Sequence, residues 1–268
     1  MPQLHACRLS KHFSGIGVVK NVDFTISPGE VVGYLGPNGS GKTTTARMLA
    51  GLLEPSSGWV EYDGRHIRDD MIAFRHEMGY VPEEPYLYPF LSGREYLQLI
   101  GRLREMPEQL LDTKIEGFLD LFGLSTAADQ SIASYSKGMR QKIVISAALL
   151  HDPSVILFDE PETGLDVTTK LVLRHMVRTL AQRGKAIMYS SHVLEVVERV
   201  CSRVIVLYQG AVVADDSIDG LRMLLSRRRL PEGRGDVPCM LEGVFSQLVI
   251  KEDPEQIARD LADVSALA

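Results

Sequence analysis

Residues 31–53, VVGYLGPNGSGKTTTARMLAGLL, constrain this chain more than any other stretch. An apolar run at 31–35 enters Gly36-Pro37-Asn38-Gly39-Ser40-Gly41-Lys42-Thr43, and from Thr44 onward the alternation suits a helix. Gly36, Gly41, Lys42 and Thr43 match the pattern G-x-x-x-x-G-K-[ST] in full, with a strand-like run before it and a helix after it. In that context the glycines let backbone N–H groups converge on phosphate oxygens. The start of the helix adds its positive end. Lys42 is expected to reach the outer phosphates and the Thr43 hydroxyl to ligate Mg²⁺. The whole run Gly36, Pro37, Asn38, Gly39, Ser40, Gly41, Lys42, Thr43 and Thr44 is a phosphate-binding candidate.

Length and composition bound what surrounds this loop. The chain has 268 residues, 45% of them hydrophobic, enough for one large core or two modest ones. A net charge of -6 argues against broad nucleic-acid wrapping, and no nucleic-acid partner is expected. Cys7, Cys201 and Cys239 are too few and too scattered to predict a disulfide framework or a zinc cluster, which points to a reducing compartment. The N-terminus lacks the basic and apolar regions of a secretory leader, and no apolar run reaches membrane-spanning length. Action at a membrane would therefore go through a partner.

Along the chain, residues 3–9 and 22–26 read as strands. Phe13, between them, is placed equally well to stack on a base or to pack in the core. Residues 59–62 and 78–81 read as further strands, the second running into Pro82-Glu83-Glu84-Pro85. Glu83 thus falls just beyond a strand end, where ligand-facing residues of α/β sheets sit. Tyr86, Tyr88, Phe90 and Tyr96 follow within eleven residues, as a core seam or a protein-binding surface. Residues 92–122 predict two helices, with Pro107 opening the second. Ser136 is placed to cap the helix that runs to Leu150. Gly138 in its first turn weakens it and invites a functional reason, such as close approach by a ligand.

The strand at 155–158 delivers Asp159 and Glu160, two adjacent carboxylates that are costly without a nearby cation. Asp159 is expected to hold a Mg²⁺ shell and Glu160 to orient or deprotonate water. The strand at 186–189 ends in Ser190-Ser191-His192, which sets His192 where an imidazole could meet a γ-phosphate. Residues 203–208 and 211–214 read as a final strand pair. Beyond them come a helix candidate at 221–230, a linker at 231–238, a strand at 241–250 and a capped helix after Asp253.

Three apolar strands, each delivering polar residues at its C-terminal end, point to one nucleotide site on an α/β sheet and to nucleoside-triphosphate hydrolysis. The absence of an Asn-Lys-x-Asp sequence favours ATP over GTP. At this point the chain resembles an ABC-type ATPase, specifically the ATP-binding subunit of an ABC transporter, over about residues 3–215. The resemblance implies an α/β, P-loop NTPase core with an antiparallel β subdomain and an inserted helical subdomain at about 84–150. The ATPase domain would span 1–220, with a small extension at 221–268. Phe13 matches the aromatic that stacks on adenine. Ser136 and Gly138, in YSKGM, match the signature usually written LSGGQ. Asp159 matches the magnesium-associated carboxylate, Glu160 the catalytic glutamate, Asp166 the aspartate that signals across the dimer, and His192 the switch histidine. Thr43, Glu83 and Asp159 form the implied metal set.

Two departures from the family pattern stand out. Glu83 occupies the usual place of a Gln, so metal ligation can survive while a donor hydrogen bond is lost. Lys137 and Met139 stand where Gly and Gln are commonest in the signature. Both forms, with residues 82–97, resemble the branch that pairs with ABC-2 type exporter membrane subunits. The family implies a peripheral protein at the cytoplasmic face of the membrane. It would form a head-to-tail dimer, with itself or a close homologue, sandwiching two ATP molecules with Mg²⁺. A separate permease would dock around 83–96. A soluble ABC-type ATPase of DNA repair or translation is the alternative. Those relatives tend to have tandem units or a long coiled-coil insertion, and neither occurs here.

Overall fold

A computed structural model describes residues 3–227 of the chain. The elements expected in the tail beyond Arg227 lie outside the described residues. The chain opens with a hairpin, β1 (Leu4–Phe13) and β2 (Ile16–Ile26). Both strands run further than the 3–9 and 22–26 expected from sequence. Ser14 and Gly15, at φ 48 and 83, form a two-residue turn that pairs Phe13 with Ile16, so the intervening residues join the ladder.

The remaining elements follow in the order β3 (Val31–Leu35), α1 (Lys42–Leu49), β4 (Ser57–Tyr62), β5 (Arg65–His66), α2 (Met71–Glu77) and β6 (Met78–Val81). Then come α3 (Gly93–Leu103), α4 (Glu108–Leu121), α5 (Lys137–Leu149), β7 (Val155–Asp159), α6 (Val167–Gln182) and β8 (Ala186–Ser190). The last are α7 (Leu194–Val200), β9 (Arg203–Tyr208), β10 (Ala211–Ser217) and α8 (Ile218–Arg227), the last crossing the expected boundary at 220. Pro107 stands one place earlier than the opening turn, as the N-cap of α4.

Two sheets carry these strands. A four-stranded antiparallel sheet has the order β2-β1-β4-β5, and a six-stranded sheet the order β10-β9-β3-β8-β7-β6. The second is parallel throughout except for β10 on β9. Every residue of β3, β7 and β8 is buried, as a parallel sheet covered on both faces requires. Alternation then divides each strand between two cores. Val32, Tyr34, Leu157 and Met188 face the antiparallel sheet and α1. Leu35, Ile156, Phe158 and Tyr189 face the helical side, with Leu97, Leu111 and Ile143 of α3, α4 and α5. Truncating a residue such as Phe158 to Ala would cost about 3–5 kcal/mol. This stiff sheet sets the C-terminal ends of β3, β6, β7 and β8 along one rim, and the polar residues predicted from sequence sit there.

Candidate nucleotide site

The loop after β3 is anchored from both sides. Gly41, at φ 105, is the N-cap of α1, and a Cβ there would stand 2.9 Å from the Val18 carbonyl oxygen of β2. The hairpin therefore presses directly on the loop, and only glycine combines that approach with that φ. Lys42 is buried, and its Nζ donates to the carbonyls of Gly36 at 2.8 Å and Pro37 at 3.4 Å. The ammonium group is held inside the loop, where the first turn of α1 also points its free N–H groups.

Val18, Asn38, Gly39, Gly41, Lys42, Thr43, Thr44, Glu83, Glu160 and His192 line one cleft of about 350 Å³. Residues that follow β3, β6, β7 and β8 thus meet in one cleft. Gly39 has open space where a Cβ would lie, which leaves the loop backbone accessible to a ligand.

Glu160 follows β7 in the left-handed region, at φ 50, a conformation that costs a non-glycine residue about 1–2 kcal/mol. Its N–H donates to the Ser190 Oγ at 3.2 Å, which helps hold it there. The side chain is buried, and His192 Nδ1 lies 2.9 Å from its Oε2. Burial pushes the Glu160 carboxyl up from its ordinary range. The His192 hydrogen bond and charge and the Lys42 ammonium oppose that, while the Glu83 carboxylate adds to it. A buried carboxylate with raised proton affinity, oriented by an exposed imidazole, is suited to accept a proton from water.

Asp159 lies behind the cleft and is fully buried. Its Oδ1 accepts from the Ser190 hydroxyl at 2.7 Å, but its Oδ2 has no hydrogen-bond partner, and neither does the buried Ser40 Oγ. An ionised oxygen buried without a donor is expensive, and a cation beside it would remove the cost. Asp159, Glu83 and Thr43 are all oxygen donors, so the residues fit a hard divalent ion such as Mg²⁺.

Other expected site residues are not brought into the cleft. Phe13 is 46% exposed beside the hairpin turn, outside either core, with Lys11 Nζ 5.3 Å from its ring centre. That removes the core alternative and leaves the ring free to stack. Ser136 caps α5, its Oγ accepting from the Met139 N–H at 3.2 Å. Close approach does explain Gly138, but the approaching group is the chain's own: a Cβ would meet the Gly164 carbonyl oxygen at 2.7 Å. Asp166 caps α6, accepting from the Thr169 hydroxyl at 2.7 Å and its N–H at 2.8 Å. Those bonds, with Lys142 nearby, hold its carboxyl down to about 2.

Three residues at the site escaped sequence reasoning. Val18 lines the cleft from β2, in a stretch that the sequence pattern leaves between the two expected strands. Ser190 joins Asp159 to the Glu160 backbone, for which its place beside His192 was a usable signal. Buried Gln141 donates to the Pro161 carbonyl at 3.1 Å, tying α5 to the loop after Glu160.

The sequence pattern of the ABC transporter family matches residues 19–163. The ABC transporter ATP-binding protein NatA of Bacillus subtilis (strain 168) is 39% identical over 207 residues, covering 77% of this chain and 84% of NatA. The Nod factor export ATP-binding protein I of Burkholderia lata is 35% identical over 207 residues, covering 77% of this chain and 68% of that protein. A solved ATP binding subunit of an ABC transporter superposes with a TM-score of 0.82 at 30% identity, covering 91% of this chain and 98% of its own. With the phosphate loop, the paired carboxylates and the histidine gathered on one rim, the chain belongs to the ABC transporter family, as an ATP-binding and ATP-hydrolysing subunit.

Proposed function

We propose that this chain hydrolyses ATP in a head-to-tail dimer and thereby powers export through a separate membrane subunit of the ABC-2 type. The observation that carries the dimer is the makeup of the cleft. Lys42, Glu83, Glu160 and His192 line it, whereas Ser136 and Gly138 do not. The phosphate side is assembled within one chain and lies open, and a second copy would bring its Ser136 and Gly138 over the nucleotide. Lys42 and the loop N–H groups then hold the phosphates, Glu160 takes the proton of the attacking water, and His192 orients Glu160. Mg²⁺, bound by Thr43, Asp159 and Glu83, would supply positive charge against the phosphoryl oxygens.

The membrane partner is supported by a different surface. Tyr86, Tyr88 and Phe90 are 86%, 52% and 75% exposed, immediately after Glu83. The segment is pinned at the Pro89 carbonyl by the Ala133 N–H at 3.0 Å, so the rings are held outward. Tyr88 contacts both Phe90 and Tyr96, with ring centres 5.7 and 6.4 Å apart. An apolar patch of this kind, contiguous with a site residue, suits a docking partner. Among the described residues no helix is long and apolar enough to cross a membrane, so the partner would supply the pathway. A relative whose name describes Nod factor export supports the outward direction.

The test is co-isolation from membranes with the native chain and with a Tyr86→Ala/Phe90→Ala variant. An integral membrane protein that accompanies the native chain and is lost with the variant supports the reading. Isolation of the chain free of membrane protein contradicts it.

A further inference from the structure

Away from the nucleotide cleft, the outward face of the antiparallel sheet gathers a second chemically distinct group. His5 and Cys7 alternate along β1 with Leu4 and Ala6 of the core and share the other face of the sheet, His5 partly exposed and Cys7 buried. Glu61 of β4 stands directly opposite His5 in the antiparallel register. The Cys7 Sγ lies 3.1 Å from His5 Nδ1, and Glu61 Oε2 lies 3.6 Å from the same nitrogen. One ligand atom from each of the three residues lies within 4.8 Å of the others.

We propose that His5, Cys7 and Glu61 form a mononuclear site for a borderline-soft divalent transition ion, for which Zn²⁺ is the best fit. The donor set is thiolate, imidazole and carboxylate, which selects zinc-like ions over Mg²⁺ or Ca²⁺. Zinc–sulfur and zinc–nitrogen bonds of about 2.3 and 2.0 Å at a tetrahedral angle put the two ligand atoms roughly 3.5 Å apart. The 3.1 Å between the Cys7 sulfur and the His5 nitrogen needs little adjustment to reach that.

The surrounding bonds orient each ligand. Asp23 Oδ1 lies 3.3 Å from His5 Nε2, while its Oδ2 accepts from the Arg8 N–H at 3.1 Å. With Nε2 protonated toward Asp23, the lone pair of Nδ1 faces Cys7 and Glu61, the carboxylate–histidine arrangement that fixes metal-binding imidazoles. The Trp59 indole N–H donates to Glu61 Oε1 at 2.6 Å, leaving Oε2 toward His5. Glu61 and Asp23 both stand beside His5, and two carboxylates so close to the thiol and the imidazole favour a cation among them. Binding forms the sulfur–metal bond and breaks the S–H bond, releasing one proton to the buffer.

Three scattered cysteines gave no hint of this, because the ligands come from two strands that are distant in sequence. The site stands independently of the proposed dimer and of the export reading.

The test is titration of the untagged full chain with Co²⁺ in the absence of nucleotide. The expected result is one ion per chain, with a thiolate-to-cobalt absorption band in the near ultraviolet, displaced by Zn²⁺. The emission of Trp59, the only tryptophan, should change in parallel. Cys7→Ser should abolish the band, His5→Ala should weaken binding at least tenfold, and Asp23→Asn should weaken it about 10–100-fold. Glu61→Gln, on an accessible side chain, should also weaken it at least tenfold, with basal ATP hydrolysis unchanged. No band in the native chain overturns the proposal, as does a full band in Cys7→Ser. Unchanged affinity in both His5→Ala and Glu61→Gln would also overturn it, leaving the trio as a hydrogen-bonded cluster.

Discussion

The phosphate side of the site and the signature side are built on opposite principles. Around the phosphate loop the chain leaves polar atoms in need of a partner. Asp159 Oδ2 and Ser40 Oγ are buried without hydrogen bonds, Glu160 holds a strained φ, and Lys42 is folded onto the loop's own carbonyls. In and beside the signature, three residues expected at the site are accounted for locally. Ser136 caps α5, Gly138 makes room for the Gly164 carbonyl, and Asp166 caps α6. One side is incomplete alone and poised for ligands. On the other, Ser136 and Asp166 are already satisfied as helix caps, and their part in the chemistry depends on what they are pressed against.

Substitutions can break or sharpen that contrast. The largest effect is expected from Glu160→Gln, which removes the base while keeping the shape: turnover should fall about 10²–10⁴-fold with ATP binding retained, as read by phosphate release and nucleotide titration. Unchanged hydrolysis would strip Glu160 of its role. Lys42→Ala removes a charged donor worth about 1.5–3 kcal/mol, so ATP should bind about 10–100-fold more weakly. Retained affinity would mean that the loop's backbone alone carries binding.

Ser136→Ala probes the other side. Loss of the cap should cost about 1 kcal/mol in denaturant unfolding, and ATP-driven turnover should drop as well. If stability falls and turnover does not, the signature serviceably caps a helix and nothing more. The smallest effect concerns pH. Glu160 holds its proton to higher pH than an ordinary glutamate, and only the carboxylate can accept a proton from water. Activity should therefore fall on acidification sooner than for an unperturbed glutamate. His192→Ala removes a bond that favours the carboxylate, so the acid limb of kcat against pH should move to higher pH.

What could be read from sequence follows from range. The phosphate loop, Asp159, Glu160 and His192 each sit within a few residues of an apolar strand, so local pattern carried both their chemistry and their place on the sheet. Their order along one rim follows from the parallel topology. Features set by long-range contact were harder. The extent of β1 depended on the turn at Ser14 and Gly15 pairing residues that lack clean alternation. Gly138 needed a carbonyl 26 positions away, which no local pattern reveals. Whether Phe13 was core or surface depended on where the hairpin ended. The aromatic residues after Glu83 divided similarly, with Tyr86, Tyr88 and Phe90 exposed and Tyr96 packed against the helical core.

The contrast between an incomplete side and a locally satisfied one rests on a second copy closing the site. The most direct measurement is the solution mass and nucleotide content of the Glu160→Gln chain with ATP and Mg²⁺, compared with the same chain without nucleotide. A shift to twice the chain's mass with two ATP molecules per dimer, abolished by Ser136→Ala, is the expected result. A single-chain mass with ATP bound at full occupancy would contradict it.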